Sequence, residues 1–396
     1  MENQQRKLKV SIIVSDLSSS GAGRWGGGVR PFLLAEALRR LDCEVAMLGV
    51  AFGEVAKTIK DAPFPIVGLP CEYHSGFLKA ASQIIKQIDG DIICAVKLKP
   101  SSLGIALVKK LLSHRPLWLD IDDWELSWHG GDNYRYGLNP KKFIRDLIKA
   151  DGALRHPDHP LYLQWLEKFI VNADLITTHN QFLQQRFGGI LIPNGKDTDL
   201  FDPTKYNRRD SKLKYGLAEY KILMFPGAPR PYKGVEDVLI ALERLNRPDI
   251  KLAIVGGSPY DDYDRALQAK YGRWIVKIAK SPITKMPEIV AAADLIVVPQ
   301  RDTPAAKAQF PLKLTDGMAM AKPILATTVG DIPQILGDTG YLVESNSPSA
   351  IAESLELIFN NFEQAEAKGK SARQRCIDNY SIDAMTGIIK PLIAKF

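Results

Sequence analysis

Short β-branched apolar runs alternate with segments of helical period along almost the whole chain. The pattern predicts strands at Lys9 to Val14, Glu44 to Leu48, Asp91 to Val96, Leu117 to Ile121, Asp174 to Thr178 and Ile190 to Ile192. Helix-period stretches lie between several of them, at Phe77 to Ile88, Ser102 to Leu112 and Leu161 to Val171. Another helix opens at Pro31, a residue tolerated in the first turn, with Leu34, Leu38 and Leu41 on one face. After Pro193-Asn194-Gly195 a polar stretch runs to Asp210, and then the alternation restarts. Its strands fall at Ile222 to Phe225, Leu252 to Val255, Trp274 to Ile278, Leu295 to Val298, Pro323 to Ala326 and Tyr341 to Val343. Its helices fall at Val235 to Leu245, Ala266 to Tyr271, Pro287 to Ala293 and Leu312 to Met320, and the chain closes in the helical segments Ser349 to Phe359, Phe362 to Asn379 and Ile382 to Phe396. Parallel strands need a helical crossover, so this alternation predicts an α/β protein of two doubly wound, Rossmann-like domains. The expected division is residues 1–195, residues 196–380, and a C-terminal helix over 381–396 that crosses back to the first domain.

Composition narrows the class. A chain of 396 residues exceeds one ordinary core, and 45% apolar with 24% charged residues excludes wholesale disorder and fibrous repeats. Lysine and arginine outnumber the acids by seven, which suits an anionic partner: nucleic acid, a phosphorylated small molecule or an acidic membrane. The basic residues are spread out and no recognition motif appears, which argues against nucleic acid. Cys43, Cys71, Cys94 and Cys376 form no CxxC pair and read as reduced thiols. No apolar run approaches the roughly 20 residues of a spanning helix. The expectation is a cytoplasmic protein. The basic, amphipathic stretches Lys109 to Arg115 and Lys141 to Lys149 read as solvated helix faces, with peripheral contact to an anionic inner membrane face as the alternative.

Open parallel sheets place ligands at the C-terminal ends of their strands. The first such loop holds Gly21-Ala22-Gly23-Arg24-Trp25-Gly26, a literal GxGxxG that begins too late after its strand for a dinucleotide turn, with no acid ending the second strand. Gly26, Gly27 and Gly28 instead suit a loop whose amides approach a substrate, with a mobile surface loop as the competing reading. The second is Asp120-Ile121-Asp122-Asp123-Trp124-Glu125, four carboxylates in six residues, suited to a cation, to hydroxyl hydrogen bonds or to proton transfer, or else a solvated acidic turn. The third, Gly227 to Gly234, carries Arg230 and Lys233 ahead of a helix and can neutralise a diphosphate. The fourth is Phe310 to Pro323, where Lys313 stands near a helix start and Asp316 one turn on, placed for phosphate and vicinal hydroxyls, or as a surface ion pair. His156-Pro157-Asp158-His159 lacks further ligands and reads as a loop with solvated histidines, not a metal site.

These motifs resemble the retaining glycosyltransferases of the GT-B fold, family 4. The resemblance rests on Ile192-Pro193-Asn194-Gly195-Lys196-Asp197 with Phe201-Asp202-Pro203, on Pro226 to Gly234, on Pro287 to Pro299 and on Lys313 to Pro323. It covers the second domain almost completely and the first more loosely. It implies two domains facing a central cleft and metal-independent, cofactor-free transfer, with retention, of a sugar from a nucleotide diphosphate sugar to an acceptor hydroxyl on a glycan, lipid or small molecule. It implies donor contacts at Gly227, Lys233, Arg230, Lys280, Ser281, Ile283, Lys313, Leu314 and Asp316, with Asp122, Lys233 and Arg230 as catalytic groups. The acceptor would meet Gly26, Gly27, Gly28 and Trp128 in the first domain. Three positions depart from the family: Ala228 replaces an arginine, Ala308 replaces the first glutamate, and Asp122 stands where many members have histidine. The departures keep two other readings open, a non-catalytic nucleotide-sugar binder and a nucleotide-sugar epimerase.

Overall fold

A computed structural model of the protein describes residues 6–21, 29–57, 62–137, 139–258 and 261–396. The chain divides into two compact units, Met1–Pro193 with Met385–Phe396, and Asn194–Ala384. The first holds strands β1 (Lys9–Val14), β2 (Glu44–Phe52), β3 (Ile66–Cys71), β4 (Ile92–Val96), β5 (Leu117–Ile121), β6 (Leu175–Thr178) and β7 (Ile190–Leu191). They form one parallel sheet in the order β3-β2-β1-β4-β5-β6-β7. The order reverses between β1 and β4, so the loops after these strands diverge there. Met385, Ile389, Leu392 and Ile393 of the helix Ile382–Ile393 belong to this unit's core, beside Val10, Ile12 and Trp118.

The second unit holds β8 (Lys221–Phe225), β9 (Ile250–Val255), β10 (Ile275–Ile278), β11 (Leu295–Val298), β12 (Ile324–Thr327) and β13 (Tyr341–Val343). Their parallel order is β10-β9-β8-β11-β12-β13, with the reversal between β8 and β11. Successive strand residues point to opposite faces, and helices cover both, so the strands are apolar throughout. Ile222, Met224, Ile296 and Val298 enter one core layer, while Leu223, Phe225, Leu295 and Val297 enter the other.

The sequence pattern misses β3, which contains Gly68 and Pro70. As an edge strand it needs only one ladder, so a proline is tolerated there. The helix expected from Ser102 begins at Ile105, behind a wide turn over Pro100–Gly104, and the stretch from Leu161 tightens after Leu166 into a 3-10 segment, Glu167–Asn172. All four cysteines are buried and free. No helix among the described residues is long and apolar enough to cross a membrane.

Candidate functional site

In the second unit the reversal point gathers the loops that follow β8 and β11. Gly234 turns the first loop into the helix Val235–Leu245 with φ +66°, and a Cβ there would lie 1.8 Å from the carbonyl oxygen of Pro299 at the end of β11. Only glycine combines that backbone with that approach. Arg301 holds the loop from the other side: its backbone N–H donates to the Tyr232 carbonyl at 2.9 Å, and its guanidinium bonds both Asp237 oxygens at 3.0 and 2.7 Å. Gly227 also has positive φ, and open space stands where its side chain would be.

Lys233 is thereby fixed on a short turn, Pro231–Lys233, where its ammonium donates to the Ala228 carbonyl at 3.0 Å. Burial pushes its pKa well below the ordinary lysine value, and the charges of Lys313 and Arg230 push it further. Lys313 begins the helix Leu312–Ala319, with its ammonium 4.9 Å from the Phe225 ring centroid. Burial lowers its pKa to about 8, against a smaller upward pull from Asp316. Arg230 lies 3.6 Å from Asp261. Among the described residues neither Lys233 nor Lys313 has an ion-pair partner within 4.0 Å. These two half-buried lysines and the arginine set like charges around Lys233, and a multivalent anion would relieve that repulsion.

The other residues singled out by sequence sit around this centre. Lys280 and Ser281 follow β10, Gly256 at the end of β9 lies against the Lys280 backbone, and Ile283 packs on the core. The Leu314 side chain is core, and its amide donates to Pro311, so it has no side-chain atom to offer a ligand. Asp316 is buried and ion-paired with Lys196, whose ammonium also lies 4.4 Å from the Phe201 ring centroid. This replaces the surface pair with Lys313 that the spacing allowed. Lys196 was not singled out from the sequence, because its partner is 120 residues away. Ala308 is fully buried.

In the first unit Asp120 is structural: both oxygens bond the buried Arg30 at 2.8 and 2.7 Å, and Thr177 donates a third bond at 2.6 Å. The other three carboxylates of that loop meet two lysines from the end of β4. Lys97 lies 2.7 Å from Glu125, 3.3 Å from Asp122 and 4.0 Å from Asp123. Lys99 lies 3.1 Å from Glu125 and 3.9 Å from Asp158. Burial works against the charge on Lys97, but Asp122, Glu125 and Asp123 outweigh it and raise its pKa well above normal. Burial opposes the Glu125 charge too, yet Lys97 and Lys99 pull its pKa down to about 2. On Asp123 burial prevails over Lys97, and with the repulsion of Glu125 and Asp122 raises the pKa to about 7. Asp122 moves upward, chiefly by burial.

Asp122 and Asp123 each keep one buried oxygen without a hydrogen bond. Lys97 itself adopts φ +82°, a costly backbone for a side-chain-bearing residue. Trp128 donates to Asp123 at 3.2 Å and remains part-exposed. No group of three or more His, Cys, Asp or Glu side chains among the described residues could hold a metal ion. Gly26, Gly27 and Gly28 lie outside the described residues.

The histidines of the 156–159 segment are half-buried and engaged. His156 stacks 4.9 Å from Tyr73, and burial lowers its pKa to about 4, while His159 accepts the Leu161 amide at 3.2 Å and caps the helix Pro160–Leu166. Asp158 bonds Ser101.

Comparison with known proteins matches residues 220–361 to the family described as glycosyl transferases group 1. The chain is 27% identical over 225 residues to the GDP-mannose-dependent alpha-(1-6)-phosphatidylinositol monomannoside mannosyltransferase of Mycolicibacterium smegmatis, covering 53% of this chain and 59% of that one. It therefore spans little more than half the length of the first curated relatives it matches. It is 28% identical to the N-acetyl-alpha-D-glucosaminyl L-malate synthase of Bacillus anthracis over 78% of this chain and 75% of that one. Among solved structures, Anabaena HepE in complex with UDP and glucose aligns with TM-score 0.73 and 14% identity, covering 99% of this chain and all of that one. A Rickettsia africae glycosyltransferase aligns with TM-score 0.70 and 18% identity, covering 98% of each chain. The second unit thus carries a domain of the glycosyl transferases group 1 family, in a chain with the GT-B fold.

Proposed function

We propose that this protein transfers a glycosyl group from a nucleotide diphosphate sugar to an acceptor hydroxyl, with retained anomeric configuration and without a metal ion. The reading is carried by the half-buried pair Lys233 and Lys313, whose pKa values are both depressed and which have no carboxylate within 4.0 Å among the described residues. Breaking the anomeric bond builds negative charge on the departing diphosphate, and preorganised cations in a site of low dielectric stabilise that charge most. Lys233, Lys313 and Arg230 supply the charge that a metal ion supplies elsewhere. The relatives support a sugar donor; their names carry acceptors as different as a phosphatidylinositol mannoside and L-malate, so the acceptor is defined here only as a hydroxyl group.

In the first unit Asp122 and Asp123 each present a buried oxygen able to accept from such a hydroxyl, held in place by Lys97. Asp122 is the group assigned to contact the reacting sugar. The test is Lys233→Ala, assayed for nucleoside diphosphate release across a panel of nucleotide sugars. Loss of a single charge-stabilising donor costs about 100- to 1000-fold in turnover. An unchanged rate removes the assignment, and saturable donor binding without turnover in the wild type indicates a binder, not an enzyme.

A further inference from the structure

The helix Pro140–Ile148 packs with its amphipathic faces reversed. At about 100° per residue, Phe143, Ile144, Leu147 and Ile148 share one arc, while Lys141, Lys142, Arg145, Asp146 and Lys149 share the other. A surface helix ordinarily turns its apolar arc to the core. Here the only buried residue is Asp146, which accepts from the Tyr136 hydroxyl at 2.8 Å. The four apolar side chains are exposed, Ile144 by 56% and Ile148 by 69%. Asp146 therefore anchors the helix, and the apolar arc meets solvent.

The apolar surface continues beyond the helix. Phe143, Tyr136, His159, Tyr162 and Trp165 form a chain of rings with consecutive centroids 5.6 to 6.4 Å apart. Trp165 and Phe169, one turn apart, are each about half exposed. Contiguous apolar surface of this kind marks a docking site. Its rim is basic: Lys141, Lys142, Lys149 and Lys168 are exposed, and only Arg145 is tied to carboxylates, Asp146 and Asp151. A second copy docked on the same face would set this rim against its own like. An anionic bilayer accepts the apolar side chains and pairs with the lysines.

We propose that this face of the first unit docks on an anionic lipid bilayer, with Phe143, Ile144, Leu147, Ile148, Trp165 and Phe169 entering the headgroup boundary. The inference is independent of the donor site. It does not extend to the other basic stretch: Lys109, Lys110 and Arg115 donate to the carbonyls of Ile85, Asn172 and Ile88 and are occupied within the fold.

The experiment is co-sedimentation of the full chain with vesicles of phosphatidylglycerol and phosphatidylcholine, against phosphatidylcholine alone. Wild type is expected in the pellet with the anionic vesicles and at least tenfold less with the neutral ones. Ile144→Asp/Ile148→Asp and Lys141→Ala/Lys142→Ala/Lys149→Ala should each lower binding at least tenfold while leaving the melting temperature and pyrophosphate binding unchanged. A measurement independent of these variants is quenching of wild-type tryptophan fluorescence by brominated phosphatidylglycerol, most of which Trp165→Phe should remove. Wild type left in the supernatant, or variants that pellet like wild type, would overturn the proposal. So would a dimer in sedimentation velocity without lipid that Ile144→Asp dissociates, since the face would then belong to a second copy.

Discussion

Replacing Lys313 by methionine should make the unliganded protein more stable while abolishing its affinity for diphosphate. Methionine keeps the length of the side chain and its contact with Phe225 but removes a half-buried charge. The lysine pKa falls from 10.5 to about 8 in the folded chain, chiefly through burial. At 1.36 kcal/mol per unit this is a penalty of about 3 kcal/mol on the charged form, taken as an upper bound on the gain. For a unit of this size each kcal/mol moves Tm by roughly 2–4 °C. The sign with pH is defined. Both states are charged below pH 8, so the penalty is complete there. Between pH 8 and 10.5 the folded lysine loses its proton first, and the advantage of Lys313→Met fades. The assay is thermal unfolding of both proteins from pH 6 to 10.5, with and without pyrophosphate, which offers two phosphates without a base. Wild type should gain about 2.7 kcal/mol at a hundred times the dissociation constant, and the variant nothing. A variant that is less stable at pH 7, or that keeps the pyrophosphate shift, refutes the view that the lysine is held charged for an anion.

The other expectations concern the supports of the two loops. Gly234→Ala sets a Cβ 1.8 Å from the Pro299 carbonyl oxygen at φ +66°, so circular dichroism melts should show at least about 2 kcal/mol of destabilisation, with pyrophosphate affinity lost as well. Asp123→Asn should be more stable than wild type above pH 7. The raised pKa means that folded wild type binds more protons than unfolded chain between about pH 4 and 7, so its stability falls across that window; urea titrations showing equal pH dependence would contradict this.

The alternation of apolar runs with helix-period segments was enough to specify two parallel α/β sheets, because a strand apolar at every position must be covered on both faces. It also marked Lys233 and Lys313 as candidates, because each lies among turn residues in a loop following a strand, where such sheets bind ligands. The sequence could not pair groups far apart in the chain. Lys196 meets Asp316 on the helix Leu312–Ala319, and Lys97 and Lys99, just past β4, meet the carboxylates of the 122–125 loop and Asp158, only because the folded chain brings these distant segments together. An acidic turn suited by sequence to a cation, to hydroxyl groups, to proton transfer or to solvent receives cations from Lys97 and Lys99, just past β4.

The helix Pro140–Ile148 draws the same boundary most sharply. Its periodicity, legible in the sequence, shows that one side is apolar and the other basic. The folded chain turns Asp146 inward, where it accepts from the Tyr136 hydroxyl. Periodicity fixes the relation of side chains around a helix axis, whereas the rotation of that axis against its neighbours is set by the partners that the folded chain supplies.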